Sequence, residues 1–102
     1  NIVATFTLLS KQSEWDRHIW GSDISSKSLY LHRLAIIPTY MKKGIGKSIL
    51  TWIQDNVSDK EFLKLDCGAD NVKLNNFYKC NKFELIGITG GHSKYQKNIK
   101  KN

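Results

Sequence analysis

Residues 35–48 read AIIPTYMKKGIGKS, and no other stretch limits the fold as tightly. A β-branched, apolar run reaches Pro38, which has no N–H to give a ladder and so ends a strand. Gly44 and Gly46 then open a segment with helical periodicity. A strand delivered into a helix through a glycine turn is an α/β unit. The same turn suits phosphate, because a helix N-terminus points unpaired N–H groups and a positive dipole end outward, and glycines let an anion approach that backbone.

With 102 residues the chain suffices for one domain, expected over residues 1–102. It opens on Asn1 rather than Met and runs straight into the strand-like IVATFTLL, which suggests that a preceding segment is missing. Residues 2–9 are expected as a strand. Residues 10–28 lose periodicity and carry Trp15, Trp20 and Gly21, which predicts a long loop. Along residues 29–37 the apolar phase changes, from Leu29 and Leu31 to Leu34 and Ile36. Either a β-bulge near His32 and Arg33 or a strand buried on both faces would produce that change.

Residues 44–57 predict a helix from Ile45, Ile49, Trp52, Ile53 and Val57, with Trp52 in the core. Residues 61–67 predict a strand with Leu63, Leu65 and Cys67 inward, and Asp70 or Asn71 caps a second helix striped with Leu74, Phe77 and Tyr78. Residues 83–88 predict another strand and residues 94–99 a basic edge strand.

The formal charge of +7 favours an acidic partner, whether nucleic acid, an anionic membrane or a polyphosphate cofactor. Of 16 basic residues only Arg17 and Arg33 are Arg, the usual base reader, which weighs against sequence-specific nucleic-acid binding. Cys67 and Cys80 form no CxxC pair and have no histidines at ligand spacing, so no metal and no disulfide is expected, and both are predicted to be buried thiols. No run approaches the ~18 apolar residues of a membrane span. A reducing cytoplasm is the expected setting.

Position decides which phosphate motif this is. A Walker A loop ending on Gly46, Lys47 and Ser48 would need its first glycine at Met41, and a dinucleotide fingerprint would need its third at Ile49. What remains is Leu34-Ala35-Ile36-Ile37-Pro38 followed by Met41-Lys42-Lys43-Gly44-Ile45-Gly46. This resembles the acyl-CoA motif of the Gcn5-related N-acetyltransferase (GNAT) superfamily, in which a strand and V-x-P precede [RQ]-x-x-G-x-[GA]. A second family signature is matched downstream, in register, by Asn71, Phe77, Tyr78 and Phe83. The resemblance spans about residues 29–88 and departs at three places. Met41 stands for Arg or Gln, Leu74 for a small residue, and Lys82 for the glycine before Phe83, implying a looser turn there.

The resemblance implies an α/β, GNAT-like fold: a mixed, mostly antiparallel sheet with helices on both faces and a bulged, splayed central strand, lacking the family's first strand and helices. It implies an acetyl-CoA-dependent N-acyltransferase acting by direct attack of a primary amine in a ternary complex. Acetyl-CoA would lie where residues 29–37 splay from residues 62–67, its pantetheine paired to the backbone of Leu34, Ala35 and Ile36. Its pyrophosphate would rest on the amides of Met41, Lys42, Lys43, Gly44, Ile45, Gly46 and Lys47. Tyr78 would stabilise the departing thiolate, and Asn71 would bind acceptor or water, or cap its helix. His32, and less directly Glu14 or Asp16, are candidates for a base. The acceptor would be a small-molecule or peptide amine, and an exposed sheet edge would allow a homodimer. A noncatalytic acyl-CoA sensor is the main alternative, and a basic nucleic-acid-binding module a third.

Overall fold

The computed structural model describes residues 4–25, 27–37, 39 and 43–100. Among the described residues, five strands and three helices follow the order β1 (Ala4–Leu9), α1 (Glu14–Trp20), β2 (Ser28–Ile36), α2 (Ile45–Asn56), β3 (Phe62–Gly68), α3 (Val72–Cys80), β4 (Glu84–Thr89) and β5 (His92–Asn98). The strands make one sheet in the order β1-β2-β3-β5-β4. Only β2 and β3 are parallel. They are also the pair joined by a helix, α2, since a parallel connection needs a crossover.

Side-chain alternation sends Leu29 and Leu31 of β2, Leu63, Leu65 and Cys67 of β3 and Tyr95 of β5 to one face. There they meet Ile49, Leu50 and Ile53 of α2 and Tyr78 of α3 in a single buried cluster. The opposite parity, with Tyr30, His32, Lys64, Asp66 and His92, faces α1, so helices cover both faces of the sheet.

The strand–bulge expectation is met at Arg33. Thr5 lies opposite Ala35 and Thr7 opposite His32, so Phe6 of β1 is faced by two β2 residues, Arg33 and Leu34. Arg33 takes the extra turn with φ 55°, a left-handed conformation seldom adopted by a side-chain-bearing residue. The rival explanation also holds, on a different stretch: residues 28–31 are all buried, because α1 and its flanking loop cover one side and α2 the other.

Four expectations need correction. Residues 10–28 are not wholly a loop, because α1 lies within them. Ser13 accepts from the Asp16 amide and Asp16 accepts from the Ser13 amide, a reciprocal cap that holds a helix too short to show periodicity. Trp52 is 51 % exposed, edge-on to Phe6 of β1, because the buried stripe of α2 runs through Ile49 and Ile53 and leaves Trp52 on its flank. Cys80, at the end of α3, is exposed, and only Cys67 is buried. The basic strand β5 is interior, paired to β3 and β4, and β4 forms the edge with Leu85, Ile86 and Ile88 exposed. A return hairpin through Gly90 and Gly91 inserts the last strand beside β3, an arrangement that local sequence does not encode.

Candidate active site

The parallel pairing of β2 with β3 lasts for three residue pairs, Ser28 with Phe62, Leu29 with Leu63 and Tyr30 with Lys64. Beyond Tyr30 the strands part, β2 staying with β1 and β3 staying with β5. The bulge at Arg33 turns β2 away and produces the fork. On the β3 side of the fork, β2 has no strand partner at Leu34, Ala35 and Ile36 among the described residues. An extended amide-bearing ligand could add there as a strand does. A narrow apolar cleft occupies the fork, lined by Leu31 and Leu34, by Gly46, Ile49 and Leu50 of α2, by Leu63, and by Phe77, Tyr78, Asn81 and Phe83.

At the wide end of the fork α2 begins. Gly44 is its N-cap, with φ 75° and ψ 15°, and no side chain caps the helix. The first turn holds no acidic residue, and the ladder starts only when the Ser48 amide donates to Gly44 O. The amides of Ile45, Gly46 and Lys47 thus precede the helical ladder and are suited to an anion. Lys43 and Lys47 are exposed beside them. Met41 and Lys42, expected to contribute amides, lie outside the described residues, as does Pro38.

The two glycines have different reasons. A Cβ at Gly44 would meet nothing within 4 Å, so its role is the left-handed backbone and an open approach. A Cβ at Gly46 would come within 2.6 Å of the Asn81 side-chain amide, which donates to Phe77 O at 2.8 Å. Gly46 therefore lets the first turn of α2 press on the end of α3, a packing need that the motif alone did not reveal.

Tyr78 lies on the cleft wall, 4 % exposed, its ring edge-on to Phe77 and Phe83 and tilted against Tyr95. Burial pushes its phenol far above the usual value, with Cys67, Asp66 and Tyr95 adding to the shift. The hydroxyl thus stays protonated. Asn71 is the N-cap of α3, accepting from the Leu74 amide through Oδ1, and lies on the surface. The cap role foreseen for it is the one the structure displays. Asn75, not singled out from sequence, ties the region together by donating to Gly68 O and accepting from the Tyr95 hydroxyl at 2.6 Å. Lys82 adopts φ 69°, a left-handed conformation that glycine takes without strain, and the Lys82 and Phe83 amides donate to Lys79 O and Tyr78 O, so the turn before Phe83 is closed rather than loose.

On the other face the fork carries two carboxylate–imidazole pairs. Asp16 Oδ2 is 3.0 Å from His32 Nε2 on the β2 arm. Asp66 Oδ2 is 3.0 Å from His92 Nδ1 on the β3 arm, at ion-pair distance but without hydrogen-bond alignment. Trp15 Nε1 also donates to the Asp66 carboxylate, and its ring lies 4.9 Å from that of His92. Asp66 and His92 were not foreseen. Alternation with the inward Leu65 and Cys67 places Asp66 outward, but only the β3–β5 pairing brings His92 beside it. Glu14 is exposed in the first turn of α1. Among the described residues no group of three or more His, Cys, Asp or Glu could hold a metal ion. No helix there is long and apolar enough to cross a membrane.

Residues 2–83 match the Acetyltransferase (GNAT) family. A relative from Bacillus subtilis, the uncharacterized N-acetyltransferase YesJ, is 36 % identical over 101 residues, which are 96 % of this chain and 56 % of the relative. Among solved structures, a GNAT-family acetyltransferase from Listeria monocytogenes superposes with a TM-score of 0.71 at 25 % identity, covering 96 % of this chain and 58 % of that one. The microcin self-immunity acetyltransferase MccE, solved with acetyl-CoA and AMP, shares the fold at a TM-score of 0.58 and 22 % identity, covering 74 % of this chain and 49 % of its own. The chain thus spans a little over half the length of the Bacillus and Listeria proteins.

Proposed function

The chain belongs to the GNAT acetyltransferase family, and from that premise we propose that it is a single-domain N-acetyltransferase module that moves an acetyl group from acetyl-CoA to a primary amine. The observation that carries this is the fork, three shared pairs and then separation, with an uncapped glycine turn at its wide end and the buried Tyr78 on the cleft wall. The diphosphate would rest on the amides of Ile45, Gly46 and Lys47, with Lys43 and Lys47 adding charge. The pantetheine would run along Leu34, Ala35 and Ile36 into the fork. Relatives described as N-acetyltransferases, and one solved with acetyl-CoA, support the donor and the amine acceptor.

In the reaction the amine nitrogen attacks the thioester carbonyl, a C–N bond forms, the C–S bond breaks, and the thiolate leaves with the electron pair. Proton transfer from a phenol of ordinary pKa to a thiolate whose thiol has ordinary pKa is uphill by about 2 kcal/mol, and burial of Tyr78 makes full transfer steeper still. Tyr78 therefore acts by donating a hydrogen bond to the developing thiolate. The wide acceptor class, a small-molecule or peptide amine, and a cytoplasmic setting consistent with the free thiols Cys67 and Cys80 belong to the same proposal.

Calorimetric titration with acetyl-CoA tests binding, and CoA release measured with a thiol reagent across aminoglycosides, polyamines and peptide N-termini tests transfer. Binding with amine-dependent CoA release is expected. Binding with no release under any amine would favour the sensor alternative, and no binding at all, with salt-sensitive affinity for DNA, the basic module.

A further inference from the structure

Lys82 stands where a lysine is a poor choice for folding. Its φ of 69° sets a Cβ against the following carbonyl, a crowding that glycine at this position would avoid. Its charge is badly placed as well. Lys97 of β5, whose Nζ donates to Asn81 O at 3.0 Å, is held below the ordinary lysine pKa by burial and then by the charge of Lys82. Among the described residues neither ammonium group has a carboxylate at ion-pair distance. Backbone strain and like-charge crowding together, with no counter-ion supplied by the fold, mark a place where strain serves a ligand.

The position of the pair identifies that ligand. Asn81 precedes Lys82 in the chain, accepts from Lys97, and lays its side-chain amide 2.6 Å from where a Cβ on Gly46 would stand. Gly46 supplies one of the amides that precede the ladder of α2. Both lysines therefore flank a residue in contact with the glycine turn, and Lys97 Nζ lies 6.0 Å from the centre of the Phe83 ring on the cleft wall. The backbone amides of the turn suit the diphosphate of the donor. Acetyl-CoA carries one more anion, a phosphate monoester on its ribose, with about two negative charges at neutral pH. A dianion at the surface is matched by ammonium groups on long flexible stems, which Lys82 and Lys97 provide.

Taking the acetyl-CoA reading above as given, we propose that Lys82 and Lys97 form a second anion site, across Asn81 from the glycine turn, which takes the ribose phosphate monoester of the donor. Lys82 and Lys97 are thus donor-specificity residues. They select a CoA thioester over the same thioester on dephospho-CoA, which has the diphosphate and the pantetheine but lacks the monoester. Neither lysine touches the reacting carbonyl. Because Lys82 is exposed and Lys97 half-buried, the selectivity is electrostatic and weakens with salt.

Calorimetry with acetyl-CoA and with acetyl-dephospho-CoA tests this on wild type, Lys82→Gly, Lys82→Arg, Lys97→Gln and Lys79→Gln. The last removes one positive charge from the exposed final turn of α3 and serves as the net-charge control. Wild type is expected to bind acetyl-CoA about tenfold more tightly than the dephospho donor, as two solvent-facing charge pairs would give. Lys82→Gly and Lys97→Gln should each cut that preference to about threefold by weakening acetyl-CoA, with affinity for the dephospho donor within about twofold of wild type. Lys82→Arg and Lys79→Gln should keep the preference, and rising salt should erase it in wild type. Lys82→Gly relieves the strained backbone, so its thermal midpoint should not fall, and its weaker binding cannot then be laid to unfolding. Wild-type protein that binds neither donor overturns the functional premise. Equal affinity of wild type for the two donors overturns the second anion site alone, as does a preference that survives Lys82→Gly and Lys97→Gln or is lost equally in Lys79→Gln.

Discussion

Replacing Gly46 by alanine sets two effects against each other. Gly46 has ordinary helical backbone in the first turn of α2, so alanine there should gain up to about 1 kcal/mol of helix propensity. Against this, the new methyl would lie 2.6 Å from the Asn81 amide, a separation that real side chains do not adopt. Asn81 can move only by giving up its donation to Phe77 O, worth about 1 kcal/mol, and by crowding a cleft wall, for roughly 1 kcal/mol more. The single substitution should therefore destabilise by about 1 kcal/mol. With Asn81→Ala already present the obstacle is gone, and Gly46→Ala should stabilise by up to about 1 kcal/mol, a coupling of about 2 kcal/mol. Urea unfolding of the four proteins of this cycle measures it, provided the m-values agree. A Gly46→Ala protein more stable than wild type, or a coupling below about 0.5 kcal/mol, would refute the claim that this glycine exists for the α2–α3 approach.

Other expectations concern separate groups. Tyr78→Phe should lower kcat roughly 10- to 100-fold, the worth of a hydrogen bond to a charged group, with acetyl-CoA affinity by calorimetry nearly unchanged; equal losses in both would remove Tyr78 from the chemistry. Because burial raises the Tyr78 phenol, the folded chain keeps a proton that the unfolded chain loses above about pH 10, so this stabilisation is complete below that pH and falls away as pH rises further. Urea midpoints should drop less steeply above pH 10 in Tyr78→Phe than in wild type. Lys82→Gly should stabilise by about 0.5–1 kcal/mol, since glycine meets φ 69° without the Cβ strain of lysine and the charge crowding Lys97 is removed; a lower thermal midpoint would contradict that.

Local order is what the amino-acid string carries. Pro38, the glycine pair and the 3.6-residue stripe defined a strand, a turn and α2, and Asn71 with Leu74, Phe77 and Tyr78 defined α3, because caps and periodicity act over a few neighbouring residues. The phase change between Leu31 and Leu34 marked the bulge for the same reason. Short α1 escaped because its seven residues complete only two turns and its cap uses Asp16 in place of Glu or Gln.

Tertiary structure decided the rest. Trp52 fell outside the core because the sheet meets only one flank of α2, and β5 became interior because the hairpin folds it back between β3 and β4. Asp16 and His32, 16 residues apart, and Asp66 and His92, further still, become pairs only when α1 lies across the sheet and β5 docks on β3. Residues distant in the chain have no local energy that links them, so a site made from several strands is written in the sequence as separate letters and assembled only by packing.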